Sequence, residues 1–189
     1  MRILTKDEFL SEKRIMMRKF KESVFIYPTD TIYGIGCNAE YEELVDIIRF
    51  VKKRIDMPFS VIAPSKEWIR ENCVVDKKTE EWLEKLPGPY TLIMKLKNKN
   101  AVAKNVNLGT DTLGVRIPNN WFSEIVSEMN FPVVTTSANV SGDDFMVSVE
   151  DIHEDIVKGT DFAIDDGAIH GRPSTLVFLN KKEPVLKKR

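Results

Sequence analysis

Short apolar runs alternate along this chain with segments in which apolar residues recur every three or four positions. The runs are typical of buried strands, and they predict strands at about residues 24–27, 59–63, 90–96, 113–117, 132–136, 162–164 and 174–179. The periodic segments are typical of amphipathic helices, and they predict helices at about residues 5–20, 42–53, 76–86, 121–129 and 148–157. Because strands and helices are interleaved and several strands follow one another directly, we expect an α/β fold with a mixed sheet.

The first predicted helix has a clear start signal. Thr5 followed by Glu8 is a capping-box pattern, in which each side chain bonds the other residue's backbone N–H. A helix that begins there turns one set of apolar side chains toward the core. That set is Phe9, Leu10, Ile15, Met16 and Phe20.

Composition narrows the class of protein. The 189 residues include 28 Lys and Arg against 29 Asp and Glu, a formal net charge of -1, so no global charge calls for a nucleic-acid or membrane partner. An anion site must therefore come from local clustering of basic side chains. No repeat or flexible linker interrupts the chain, and we expect one domain over residues 1–189.

The cysteines and the apolar stretches bear on the compartment. Cys37 and Cys73 cannot form a disulfide framework and lack metal-ligand spacing, which favours a reducing cytoplasm. The first ten residues carry charges and no apolar run, so we expect no signal peptide. The apolar stretches are only as long as strands, so we expect no membrane span.

A polar turn follows the first predicted strand. It contains Thr29, Asp30 and Thr31, with Gly34 and Gly36 close behind. Such side chains commonly stabilise a turn through their own hydrogen bonds. They could equally hold a small polar ligand, and the two glycines favour a ligand because glycine lets the backbone approach it closely.

Basic residues occur at two places where their role is ambiguous. Lys52 and Arg54 end a predicted helix, where cations are favourable against the helix dipole. If both bind one anion, the helix must end near Lys52, because residues two apart on a helix face different ways. Arg116 lies in a predicted strand, either exposed at a sheet edge or facing a cavity that holds a carboxylate or phosphate.

A second polar turn, residues 135–142, reads TTSANVSG and follows a buried strand. Hydroxyls and an amide at the carboxyl end of a strand suit the place where open α/β sheets bind ligands. A plain polar turn is the alternative. The chain has no Gly-x-Ser-x-Gly elbow, and its two histidines lack metal-ligand spacing. Hydroxyls with dispersed Lys and Arg suit the positioning of anions rather than covalent catalysis.

Six ordered stretches resemble the YrdC-type threonylcarbamoyl-AMP synthase family in its short, single-domain form. They are YPTDTIYGIG at 27–36, KKR at 52–54, PGP at 87–89, GVRIP at 114–118, SANVSG at 137–142 and STLV at 174–177. The resemblance implies a YrdC-like fold, a twisted, open, mixed parallel and antiparallel sheet with helices on its faces and a large cationic cavity. It also implies that L-threonine, bicarbonate and ATP react to threonylcarbamoyl-AMP and pyrophosphate, for N6-threonylcarbamoyladenosine formation in tRNA.

The resemblance further implies a role for individual residues. Lys52 and Arg54 would be the catalytic cations that bind the phosphates of ATP. Further ATP contacts would come from Thr112, Ser137, Asn139 and Lys187. Contacts with L-threonine would come from Thr31, Arg116, Thr135 and Ser174. Mg²⁺ would accompany ATP as the co-substrate, with no tightly bound cofactor and no metal held by the protein.

Three positions depart from the family pattern. Asp30 stands where the family usually has Glu, one methylene longer, so we expect a direct contact to become water-mediated. Ile55 stands in place of Pro, and the segment from Arg54 to Phe59 is shortened. The usual Arg-Gly near the end is replaced by residues 187–189, KKR, and we expect Lys187 to take the phosphate-binding role.

Partners and alternatives follow from the same resemblance. The product would pass to a tRNA threonylcarbamoyltransferase, and we expect a cytoplasmic monomer. A carbamoyltransferase domain that handles carbamoyl-adenylates is one alternative. A module that binds tRNA or double-stranded RNA is another, and salt-dependent RNA binding without ATP turnover would identify it.

Overall fold

The computed structural model describes residues 1–188. These residues contain ten strands and eight α-helices. The strands are β1 (Arg2–Thr5), β2 (Phe25–Tyr27), β3 (Gly34–Gly36), β4 (Ser60–Ile62), β5 (Tyr90–Lys95), β6 (Thr112–Arg116), β7 (Val133–Ser137), β8 (Phe162–Asp165), β9 (Thr175–Phe178) and β10 (Val185–Lys187). The helices are α1 (Lys6–Ser11), α2 (Lys13–Lys19), α3 (Glu42–Val51), α4 (Lys66–Asn72), α5 (Lys77–Leu83), α6 (Lys104–Asn107), α7 (Phe122–Met129) and α8 (Glu154–Lys158). Two 3₁₀ turns span Phe20–Glu22 and Val149–Asp151.

All ten strands join one open sheet in the order β1-β8-β2-β3-β7-β4-β6-β5-β9-β10. The pairs β1–β8, β2–β8, β4–β6 and β5–β9 are parallel, and the remaining neighbours are antiparallel. The expected mixed sheet is confirmed. Because β1 and β10 form its two edges, β6 lies inside the sheet, which decides against an edge position for Arg116.

The hydrophobic core has two parts, one on each face of the sheet. Successive residues of a strand point to opposite faces, so Phe25 and Tyr27 pack with α1, α2 and α7, whereas Ile26 packs with α3, α4, α5, α6 and α8. The first part is rich in aromatic rings, and Tyr27 stacks on Phe122 with ring centroids 4.6 Å apart. Helices on both faces thus bury the sheet, as expected.

The first predicted helix is wrong in part. Its capping box is present, because Glu8 N donates to Thr5 Oγ1 over 3.3 Å and Thr5 N donates to Glu8 Oε2 over 2.8 Å. The helix breaks at Glu12, however, and continues as α2. Leu10 and Ile15 are exposed to solvent, contrary to expectation, while Phe9, Met16 and Phe20 are buried as expected.

Several short elements were not predicted, namely β1, β3, α4, α6 and β10. All of these elements are too short to show a clear period of apolar residues, and all but α4 have four or fewer residues. The predicted helix at 148–157 forms as two pieces, the 3₁₀ turn Val149–Asp151 and α8, separated by Ile152 and His153. None of the helices in residues 1–188 has the length and apolar character needed to cross a membrane.

Candidate active site

One cleft brings together most of the polar segments that the sequence singles out. Its walls include Thr31, Arg54, Arg116, Thr135, Ser137 and Ser174, and it encloses about 650 Å³ when the part open to solvent is counted. Among the described residues that line it there are two arginines and many hydroxyls, but no Asp or Glu. We call this space the central cleft.

The sheet forms the floor of the central cleft. Gly114, Ser60 and Thr135 lie opposite one another on β6, β4 and β7, so they share a face. A β-carbon at Gly114 would lie 2.3 Å from Ser60 Oγ, so glycine is required there for close packing. Arg116 lies two residues beyond Gly114 and points to the same face, as the alternation of the strand predicted.

Arg116 is buried in an ion pair with Asp30. Its Nη2 lies 2.5 Å from Asp30 Oδ1, and Asn119 N donates to the other carboxylate oxygen over 2.9 Å. The turn at residues 28–33 lies against the end of β6, so the short side chain of Asp30 reaches the guanidinium of Arg116 directly. Arg116 Nε is buried and has no hydrogen-bond partner within residues 1–188.

Two threonines in the turn after β2 make different contacts. Thr29 Oγ1 accepts from the N–H groups of Thr31 and Ile32 and donates to the Ile32 carbonyl over 2.7 Å. Thr29 thus holds the turn together. Thr31 Oγ1 lies 3.4 Å from both terminal nitrogens of Arg116, at the buried end of the cleft. Thr29 is therefore suited to stabilising the turn, and Thr31 is suited to contacting a ligand.

The end of α3 brings Lys52 and Arg54 to the turn that follows β7. The helix ends at Val51, Lys52 caps it, and Lys53 adopts a φ of 52°, so the chain reverses as convergence required. Arg54 Nη1 donates to Thr136 Oγ1 over 3.3 Å and lines the cleft. Lys52 is fully buried, and its ammonium donates to the carbonyls of Ser137 and Asn139. Lys52 therefore supports the 137–139 turn from behind, and it does not line the cleft beside Arg54 as binding of one anion by both side chains would require.

The buried ammonium of Lys52 should make stability depend on pH. Burial, and then the positive charge of Arg54, lower the pKa of Lys52 from 10.5 to about 7. Between these pH values the unfolded chain holds a proton that the folded chain does not, so the free energy of unfolding should rise with pH across this interval. Urea denaturation at several pH values measures the rise, which a Lys52→Met variant should lack. An identical pH dependence in both proteins would contradict the shift.

The remaining predicted site residues divide into two groups. Ser174 is buried in the cleft wall with its Oγ 2.7 Å from Thr91 Oγ1. Thr112 and Lys187 lie outside the lining of the cleft. Thr112 begins β6, and four residues of extended chain, roughly 13 Å, separate it from Arg116. Lys187 is exposed on β10 opposite Leu176. Arg189 lies outside the described residues.

The sequence reasoning missed two residues that shape the cleft. The Tyr33 hydroxyl donates to the Gly167 carbonyl over 2.7 Å and accepts from Asp166 N over 3.0 Å, which ties the 165–167 turn to the cleft wall. Burial raises the pKa of Tyr33 to about 12. Gly171 crosses directly over Thr31, and a β-carbon there would lie 1.6 Å from the Thr31 carbonyl oxygen. No local sequence pattern predicts either contact, because the residues in contact are far apart in the sequence.

Comparison with known proteins supports the family resemblance that the sequence motifs indicate. The model of the Sua5/YciO/YrdC family, described as telomere recombination, matches residues 20–189. The putative threonylcarbamoyl-AMP synthase of Methanocaldococcus jannaschii is 35% identical over 176 residues, which cover 90% of this chain and 78% of that protein. The threonylcarbamoyl-AMP synthase of Bos taurus is 31% identical over 149 residues, 78% of this chain and 53% of that protein.

Solved structures are similar over the whole chain. Sua5 of P. abyssi complexed with L-threonine superposes with a TM-score of 0.85 at 29% identity, covering 98% of this chain and 56% of that one. E. coli YciO superposes with a TM-score of 0.81 at 23% identity, which shows the fold alone. This chain spans only about half the length of the bovine and Pyrococcus proteins. With the family model matched over most of its residues, the chain belongs to the Sua5/YciO/YrdC family.

Proposed function

We propose that this protein condenses L-threonine, bicarbonate and ATP into threonylcarbamoyl-AMP and pyrophosphate. The observation that carries the proposal is the arrangement of the central cleft, with Arg116 at its buried end and Arg54 in its wall. A reaction between an amino acid and a nucleotide needs two anion sites in one enclosed space. Relatives named threonylcarbamoyl-AMP synthase, and a related Sua5 structure with L-threonine, support the same reading.

The buried end of the cleft suits an amino acid. Arg116 Nε is a buried donor without a protein partner in the described chain, and a carboxylate is the acceptor that best satisfies it. Asp30 compensates the charge of Arg116 before a ligand arrives. Thr31, Thr135 and Ser174 surround this end with hydroxyl groups that can bond to the amine and side-chain hydroxyl of threonine.

The other part of the cleft suits the triphosphate. Arg54 offers a planar set of donors to phosphate oxygens, and Ser137 also lines the cleft. Lys52 and Asn139 shape this turn from behind rather than from the cleft surface. Because no carboxylate of the described chain lines the cleft, the residues present do not form a metal site, and Mg²⁺ would arrive with its ATP.

The chemistry needs no protein nucleophile. Bicarbonate gives CO₂ and hydroxide. The neutral amine of threonine then attacks the carbon of CO₂, so that a C–N bond forms while one C–O π bond opens to the carbamate oxygen, and the amine proton passes to the hydroxide as water. A carbamate oxygen then attacks the α-phosphorus while the bond to the β-phosphate bridging oxygen breaks and pyrophosphate leaves. Both partners are anions, so positioning and charge compensation by Arg116 and Arg54 are what the cleft supplies.

Pyrophosphate release should require all substrates together. ATP with Mg²⁺ is incubated with the protein, and threonine and bicarbonate are added singly and in combination. We expect pyrophosphate only with both, and a threonylcarbamoyl adenylate by mass spectrometry. Release with neither, or no release at all, would contradict the proposal. Carbamoyl phosphate and RNA would then be the ligands to test, for a carbamoyltransferase or an RNA-binding module.

A further inference from the structure

The segment from Lys53 to Pro58 carries Arg54 but has no helix or strand of its own. Its side chains Ile55 and Met57 are 79% and 61% exposed, so burial of its own apolar groups does not hold it in place. A segment with so little buried surface is expected to open easily. Something else must fix the position of Arg54 at the cleft wall.

Arg49 supplies the missing contacts from inside the protein. Its Nη1 donates to the carbonyls of Arg54, Ile55 and Met57 over 3.0, 3.2 and 3.1 Å. The opposite side of the same guanidinium donates to the Asn105 carbonyl, over 2.9 Å from Nε. Arg49 is only 9% exposed although it lies on α3. One buried side chain thus joins the 53–58 segment to α6.

The aromatic ring of Phe59 completes the support. The guanidinium carbon of Arg49 lies 4.5 Å from the centre of this ring, and that of Arg54 lies 5.1 Å from it. Arg54 Nη2 also donates to the Pro58 carbonyl over 2.8 Å. Arg54 therefore rests on Pro58 and Phe59, and Arg49 fixes the backbone on either side of them. No carboxylate is needed, because backbone carbonyls satisfy the donors of Arg49.

We infer that Arg49 is a positioning residue, whose guanidinium sets the place of Arg54 at the triphosphate end of the central cleft. The inference rests on the proposed function only for the identity of the ligand that Arg54 meets. A shift of about 1 Å in a positioning group can cost on the order of a hundredfold in rate. Lysine at position 49 keeps the charge but cannot donate to both segments at once, because it lacks the planar fork.

The test compares Arg49→Lys and Arg49→Gln with an Arg70→Gln control. Arg70 also bonds several partners, but these are the carboxylates of Glu67, Glu80 and Glu84 on the surface. For Arg49→Gln we expect the KM for ATP to rise on the order of tenfold or more, with the KM for threonine within about twofold. Arg49→Lys should fall between this variant and the wild-type protein, and Arg70→Gln should match the wild type.

Limited digestion with trypsin gives a second readout that requires no substrate. Cleavage after Lys53 and Arg54 in the folded protein should accelerate in Arg49→Gln and not in Arg70→Gln. Equal changes in both KM values, or a cleavage rate equal to that of the control, would overturn the inference. If the wild-type protein released no pyrophosphate, the proposed function would fail, and the digestion would still decide whether Arg49 holds the segment. If Arg49→Gln did not fold, the same comparisons would be made on Arg49→Lys.

Discussion

Replacing Arg116 by alanine should abolish saturation of the enzyme by threonine while leaving the KM for ATP within a few-fold of the wild-type value. The guanidinium is the buried cation at the end of the cleft that we propose binds the amino acid, and its Nε is a buried donor with no hydrogen-bond partner in the described residues. A charged hydrogen bond of this kind contributes about 1.5–3 kcal/mol, so kcat/KM for threonine should fall by at least about tenfold to a hundredfold. Initial rates of pyrophosphate release, with each substrate varied in turn, measure both constants.

The same substitution should also lower stability, because it leaves Asp30 buried without its partner. Breaking a buried ion pair from one side costs about 3–5 kcal/mol. Arg116→Lys retains a positive charge for Asp30 and serves as the variant that keeps the fold, while Asp30→Asn removes the opposite charge. A larger effect on the KM for ATP than on that for threonine would show that Arg116 binds the nucleotide instead.

Alanine at Gly171 should strongly lower activity, although residue 171 does not itself line the central cleft. The added β-carbon would lie 1.6 Å from the Thr31 carbonyl oxygen, far inside contact distance, so one of the two segments must move. The collision is with backbone, which cannot rotate away as a side chain can. Thr31 would shift relative to Arg116, and we expect kcat/KM for threonine to fall on the order of a hundredfold.

Gly109→Ala is the matched control for Gly171→Ala. Gly109 adopts a φ of 69°, so alanine there is conformationally strained, but a β-carbon would meet nothing within 4 Å. We expect a loss of about 1–2 kcal/mol in stability and unchanged kinetics. Thermal denaturation and steady-state rates on both variants separate the two effects. Full activity in Gly171→Ala would mean that the contact with Thr31 has no part in holding the site.

Local sequence patterns predicted the elements whose signals lie in residues adjacent in sequence. The continuous apolar run Phe25-Ile26-Tyr27 predicts a strand buried on both faces. In the predicted strand at 113–117, the alternation of positions predicts that Gly114 and Arg116 share one face. The capping box at Thr5 was predictable because its two residues are close in sequence. The end of α3 at Val51 lies two residues before the predicted end at residue 53.

The features that escaped prediction depend on partners far along the chain. β3 reads as a glycine-rich turn, yet it is a strand, and a β-carbon at Gly36 would lie 2.1 Å from the Val134 carbonyl oxygen. Lys52 resembles any cation at a helix end until the carbonyls of Ser137 and Asn139 meet it. Arg49 lies on a helix at a position that the sequence does not mark as buried, and the 53–58 segment, Phe59 and α6 together bury it.

The position of β1 at the edge of the sheet bears on how the protein is made. Its single neighbour in the sheet is β8, formed by Phe162–Asp165 near the other end of the chain. Ribosomes synthesise the chain from the N-terminus at about 5–20 residues per second, so β1 leaves the ribosome long before its partner exists. Phe20, whose ring centroid lies 5.4 Å from that of Phe162, lacks this neighbour for the same interval. This edge of the sheet can therefore be completed only after β8 has emerged, so β1 should be among the last strands of the nascent chain to pair.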